Sequence, residues 1–170
     1  MDVVVVNLEA VQSSIDRVRR NIETKMNEFL KKLADIGIER AKFRFSVASY
    51  DGVNDVVVED NPEWLGDNTL AIKAYGQSIL FIEFGTGTLQ NNPVTHPMAD
   101  ELGMKRGSYG HGQGKNPNGW RYKGEPGTNG IQLSNGRVWT KGNNANRCMW
   151  NAAEAIRERI YETAREVFYS

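Results

Sequence analysis

From Phe84 to Gly142 the chain passes through about fifty-five residues too poor in apolar side chains to build a core, a length at which structureless loops in compact domains are uncommon. The stretch is bracketed. Phe84-Gly85-Thr86-Gly87 closes the apolar run Ile79-Leu80-Phe81-Ile82-Glu83-Phe84, and Trp139-Thr140-Lys141-Gly142 leads into the last helical pattern. A folded body must therefore come from the flanks, and the 170 residues read as one domain. Its body is 1–85 and 143–170, and its extended glycine-rich arm is 86–142. An arm of this kind points to a partner.

Val3 to Val6 is a β-branched run that predicts a short strand, and Asn7 stands where an N-cap belongs. From Leu8, apolar residues recur every three or four positions at Val11, Ile15, Val18, Ile22, Met26, Phe29, Leu33 and Ile36. This predicts an amphipathic helix of about thirty residues, ending between Gly37 and Ser49. Tyr50-Asp51-Gly52 predicts a turn. Asp55 to Asp60 and Asn68 to Tyr75 predict an antiparallel pair joined by Asn61–Asp67 as a loop. The run from Ile79 to Phe84 fits a short helix capped by Ser78 or a buried strand equally well. A weak helix near Pro97 to Leu102 and strands at Ile131–Leu133 and Arg137–Thr140 lie within the arm. The last helix, capped by Asn143 or Asn144, carries Met149, Ala152, Ala153, Ile156, Ile160, Ala164, Val167 and Phe168 on one side. The expected fold class is α+β: a long N-terminal helix and a C-terminal helix packed on a small, mainly antiparallel sheet.

Twenty-one basic and twenty-one acidic residues cancel, so total charge selects no partner. The distribution is uneven. Between Leu102 and Arg147, Lys105, Arg106, Lys115, Arg121, Lys123, Arg137, Lys141 and Arg147 face Glu125 alone, whereas Asp51 to Asp67 is acidic. This segregation suits contact with nucleic acid or charge-complementary contact between copies. Tyr109, Trp120, Tyr122 and Trp139 are candidate anchors that dock the arm on a surface. Interleaved with the cations, they also allow DNA contact, as backbone proximity rather than readout. One cysteine, Cys148, excludes an internal disulfide and reads as a buried thiol. The N-terminal apolar run is far below secretory or transmembrane length, so a soluble, intracellular protein is expected, with no membrane partner.

The standard catalytic constellations do not assemble. Asp51, Asp55, Glu59, Asp60, Glu63 and Asp67 lie mostly in or beside turns, rather than converging from strand ends with a lysine as a metal-dependent nuclease requires. His96 and His111 have no further metal ligands at useful spacing and read as surface or loop-packing residues. Ser78, Ser108 and Ser134 lack a nucleophile elbow. Gly110-His111-Gly112-Gln113-Gly114 neither follows a predicted strand nor opens a helix, as phosphate binding would need. A hydrolase built on Asp60 or His111 is the weakest of the readings, and no cofactor or metal is expected.

Four stretches taken together resemble a known family. They are the long helix reaching Leu33-Ala34-Asp35-Ile36-Gly37, the segment from Leu80 to Gly87, the loop Gly107-Ser108-Tyr109-Gly110-His111-Gly112-Gln113-Gly114, and Trp139-Thr140-Lys141-Gly142 leading into Met149-Trp150-Asn151-Ala152-Ala153. The set is similar to the HK-ninety-seven-type gene-product-ten family of neck and tail-completion (head-tail joining) proteins of long-tailed double-stranded DNA phages. The chain departs from that family at Arg147-Cys148, where members commonly carry a proline and an apolar residue. The resemblance implies a virion structural protein without catalysis, made in the host cytoplasm and placed between portal and tail tube. It implies a homo-oligomeric ring, with six copies favoured over twelve, whose neighbours are other neck, head-closure, tail-terminator or tail-tube proteins. The residues expected to make contacts are Phe84, Gly85, Thr86, Gly87, Tyr109, Trp120, Tyr122 and Trp139, with Lys105, Arg106, Lys115, Arg121 and Lys123. The alternative is a phage DNA-binding or capsid-associated factor using the basic arm.

Overall fold

The computed structural model describes residues 7–86, 95–104, 119–128 and 130–169, with the backbone alone at Trp120. The expected strand Val3–Val6 lies outside them. In chain order the elements are α1 (Leu8–Ser46), β1 (Val57–Val58), β2 (Glu63–Gly66), β3 (Thr69–Ala71), β4 (Ala74–Tyr75), α2 (Ile79–Phe84), β5 (Trp120–Tyr122), β6 (Ile131–Gln132), β7 (Val138–Thr140) and α3 (Cys148–Phe168). The fold is α+β.

Asn7 caps α1 by accepting the Ala10 N–H at 3.1 Å. The helix then runs for 39 residues to Ser46, within the expected limits of Gly37 and Ser49 though longer than thirty, and Gly37 does not stop it. A Cβ at Gly37 would lie 2.5 Å from Ile72 Cδ1 and 2.6 Å from Ile156 Cδ1. The glycine lets α3 and the β3–β4 link approach the α1 backbone, which offsets its roughly 1 kcal/mol of unfavourable helix propensity.

α3 lies antiparallel to α1. At one end Phe29 and Phe168 meet with ring centroids 5.9 Å apart, and Lys25 Nζ donates to the Phe168 carbonyl at 3.4 Å. At the other, Arg44 Nη2 donates to the Asn146 carbonyl at 3.1 Å. Because α3 ends beside Lys25, the part of α1 from Leu8 to Thr24 projects about 25 Å beyond the body.

The core gathers Ile38, Ala41 and Phe45 of α1, Val58 of β1, Ile82 of α2, and Cys148 and Ala152 of α3. The run 79–84, open between helix and strand in the sequence, is helix α2, with Ile82 fully buried. Cys148 is buried as expected. Burial first, then the charge of Glu83, pushes its thiol up to about 12 against the opposing pull of Arg44. That leaves on the order of one thiolate in ten thousand at about pH 8. Cys148 should therefore resist iodoacetamide in the native protein and react fully in denaturant, as mass spectrometry of both states would report.

The expected single sheet is divided into three small antiparallel ones. The β1–β4 pair, with Val57 opposite Tyr75, is the predicted pairing. Its predicted loop is not a loop. β2 turns back at Asp67-Asn68 to pair with β3, Glu63 opposite Ala71 and Trp64 opposite Leu70, with Asn68 at φ 59° in the left-handed turn position that asparagine tolerates. The third sheet, in order β5-β7-β6, includes both predicted arm strands and adds β5. The segment Pro97–Leu102, expected as a weak helix, is a run of turns closed by Leu102 N–H to Met98 O at 3.0 Å and Met104 N–H to Ala99 O at 2.8 Å.

Candidate assembly surfaces

Glu83, buried in α2, is the centre of a joint. Arg147, at the N-cap position of α3, has φ 55° and makes no side-chain cap bond, so neither Asn143 nor Asn144 caps this helix as the sequence implied. Glu83 does so from a distance. Its Oε2 accepts the Met149 N–H at 2.8 Å and its Oε1 accepts the Trp150 N–H at 3.0 Å, placing a carboxylate at the positive end of α3. His96 Nε2 lies 2.9 Å from the same Oε1, and His96 Nδ1 accepts the Met98 N–H at 3.1 Å. With Nδ1 accepting, the ring proton sits on Nε2 and is donated to Glu83. The imidazole is buried between Phe84, with centroids 4.4 Å apart, and Trp150, at 5.9 Å.

The two brackets of the glycine-rich stretch are bonded to each other. Thr86 N–H donates to the Asn143 carbonyl at 3.0 Å, and Thr86 Oγ1 donates to Asn143 Oδ1 at 2.8 Å. In return Asn143 N–H donates to Thr86 Oγ1 at 2.8 Å, and Asn143 Nδ2 to the Phe81 carbonyl at 3.1 Å. Phe84, Gly85 and Thr86 are thus engaged within the chain. Gly87, Tyr109, Lys105, Arg106, Lys115 and His111 lie outside the described residues.

The β5-β7-β6 sheet hangs from the same frame. Thr140 Oγ1 donates to Asp51, Gly142 N–H donates to Thr140 Oγ1 at 2.8 Å, and Thr128 N–H donates to the Tyr50 carbonyl at 2.8 Å. Strand alternation then sorts the predicted residues. Val138 and Thr140 are fully buried against the body, so Trp139 between them points outward. Register places Arg121 and Ile131 on either side of Trp139, and both are exposed. Arg137 precedes β7, Lys123 follows β5, and Lys141 Nζ lies 5.8 Å from the Trp139 ring centroid. Tyr122 falls on the other face, half-buried, its hydroxyl donating to the Glu125 carbonyl at 3.1 Å and its phenol pushed up by burial. The Trp120 backbone pairs with Thr140. The sheet therefore turns Trp139 and several cations outward.

Two more surfaces face solvent. On the projecting part of α1, Leu8, Val11, Ile15, Val18 and Ile22 form one stripe at alternating spacings of three and four, each between 45% and 77% exposed. Ser14, Arg19 and Glu23 flank the stripe at Ile15, Val18 and Ile22, so the apolar face is open to solvent. Every residue of β2 is exposed on this two-stranded ribbon, including Trp64 at 48% and Leu65 at 62%.

Among the described residues, no group of three or more His, Cys, Asp or Glu side chains could hold a metal ion, and no helix is long and apolar enough to cross a membrane. No family model, curated protein or solved structure matches the chain.

The joint residues Glu83 and His96 were not read as partners from sequence. The available signal was a charged residue inside the apolar run 79–84, which a helix buries only when its carboxylate has donors to accept.

Proposed function

We propose that this chain is a non-enzymatic assembly protein that forms a homo-oligomeric ring, and that its place is the neck of a tailed double-stranded DNA phage, at the head-tail junction. The observation that carries the assembly reading is the apolar stripe on the projecting half of α1. Helices in proteins gain most of their stability from packing of an amphipathic face, and this segment leaves its apolar face exposed. Five large aliphatics in one row also exceed the scattered exposed side chains of ordinary monomers. The neck assignment rests on the four sequence stretches that resemble the tail-completion family, and the tight bonding of their brackets supports a rigid ring body.

Electron microscopy of the purified protein tests the ring: closed particles of six or twelve copies are expected, and a species that remains monomeric up to its solubility limit would overturn it. Portal, head-closure and tail-tube genes beside this one would be the expected setting for the neck. The paired substitution Ile15→Asp and Val18→Asp should convert rings to folded monomers by light scattering. Circular dichroism should be unchanged apart from fraying of the projecting helix, since the core residues lie beyond it.

A further inference from the structure

We infer that, besides the α1 stripe, the ring has a second, head-to-tail contact, with the β2–β3 ribbon of one copy seated on the outer face of the β5-β7-β6 sheet of the next; this deepens the ring reading and rests on it. The two surfaces are complementary in both charge and apolar content. Between Asp51 and Ile72 the sequence has no lysine or arginine, and Asp60, Glu63 and Asp67 are exposed on or beside the ribbon. Lys42 and Lys73 reach Asp60 and Glu63, which leaves the ribbon acidic through Glu59 and Asp67. The sheet carries Arg121, Lys123, Arg137 and Lys141 against Glu125. Each surface places a tryptophan beside an exposed aliphatic: exposed Trp64 with Leu65 on the ribbon, half-buried Trp139 with Ile131 on the sheet.

Two considerations select a second copy as the occupant. The first is net charge: a nucleic-acid binder of this size is normally basic overall, whereas this chain is neutral with a pI near 6.7. Its cations are matched by anions elsewhere on the same molecule, and copies that dock unlike patches cancel both. The second is strand economy. The ribbon packs on α1 through β3, but β2 is exposed along its whole length, and a partner seated there adds the cover that a two-stranded ribbon needs in water. Because the two patches differ, the contact is heterologous, and a heterologous contact that closes gives a ring.

Mixing charge-reversed variants tests the contact. One variant carries Arg121→Glu and Arg137→Glu, the other Glu63→Lys and Asp67→Lys. Each alone should fail to form rings while keeping its native circular dichroism, since like-charged surfaces then oppose each other. A one-to-one mixture should form alternating rings, because each reversed surface meets its complement. Raising salt from about 0.1 M to about 1 M, which shortens the screening length from about 10 Å to about 3 Å, should weaken these rings. Rings of either variant alone with wild-type yield would overturn the contact and leave the ring reading standing. A wild-type protein without rings would overturn the ring reading itself. Binding of a single-stranded oligonucleotide that Arg121→Glu with Arg137→Glu abolishes, while rings persist, would assign the sheet face to nucleic acid and overturn the contact.

Discussion

Glu83→Ala should unfold this protein more readily than any other single change to a polar side chain described above, by about 3–5 kcal/mol. The carboxylate accepts the Met149 and Trp150 N–H groups and the proton on His96 Nε2, all in a site closed to water. Alanine leaves two helix N–H groups and an imidazole donor without acceptors, and each buried orphan costs about 1–3 kcal/mol. It also removes the carboxylate at the α3 N-terminus, whose first turn has no acidic residue and where Arg147 contributes no cap bond. For a chain of this size the loss corresponds to a fall in Tm of roughly 6–20 °C. Glu83→Gln should fall between, because its single carbonyl oxygen keeps one acceptor while its NH2 faces a donor. Urea unfolding measures all three proteins, and a Glu83→Ala variant within about 1 kcal/mol of wild type would show that the joint does not hold α3 in place.

Much of the body was legible because it follows helical periodicity. The three-and-four spacing from Leu8 to Ile36 marked α1, and the apolar side of α3 was marked in the same way. The same pattern was less informative at both ends of α1. Beyond Gly37 it left the end open as far as Ser49, since nothing local says that Ile72 and Ile156 need the space a side chain would fill. At Leu8 to Ile22 it implied burial, since a stripe looks the same whether the covering surface belongs to this chain or to another. The β2–β3 turn was hidden because Asn68 supplies the left-handed residue where a glycine would have announced it. Long-range pairing was the least legible. Nothing in the sequence near Asn143 says that a helix starting at Cys148 is capped from Glu83, more than sixty positions away. The outward set on the β5-β7-β6 sheet required strand register before Trp139 and Arg121 could be separated from Tyr122.

Gly85→Ala should cost at least about 3 kcal/mol, while the same change at Gly136 should cost about 1 kcal/mol, although both glycines have positive φ. At Gly136, with φ 74°, the new methyl group meets nothing within 4 Å, so only the backbone conformation opposes it. At Gly85, with φ 81° and ψ 170°, the Cβ would lie 2.6 Å from the Ala145 N and 2.9 Å from the Asn143 carbonyl oxygen. Those are backbone atoms, the Asn143 carbonyl held by the Thr86 N–H, so they cannot turn aside as a flexible side-chain end could. Relief requires moving the Asn143–Ala145 strip away from α2, which breaks the reciprocal Thr86–Asn143 bonds and strains the Asn146 N–H to Ile82 carbonyl bond of 2.9 Å. Hydrogen exchange reports this directly: the Thr86 and Asn146 amides should lose protection in Gly85→Ala and keep it in Gly136→Ala. Equal exchange in the two variants would mean that backbone conformation alone demands glycine in the tetrad. Faster exchange at Gly85→Ala alone would mean that the close approach of the two brackets demands it.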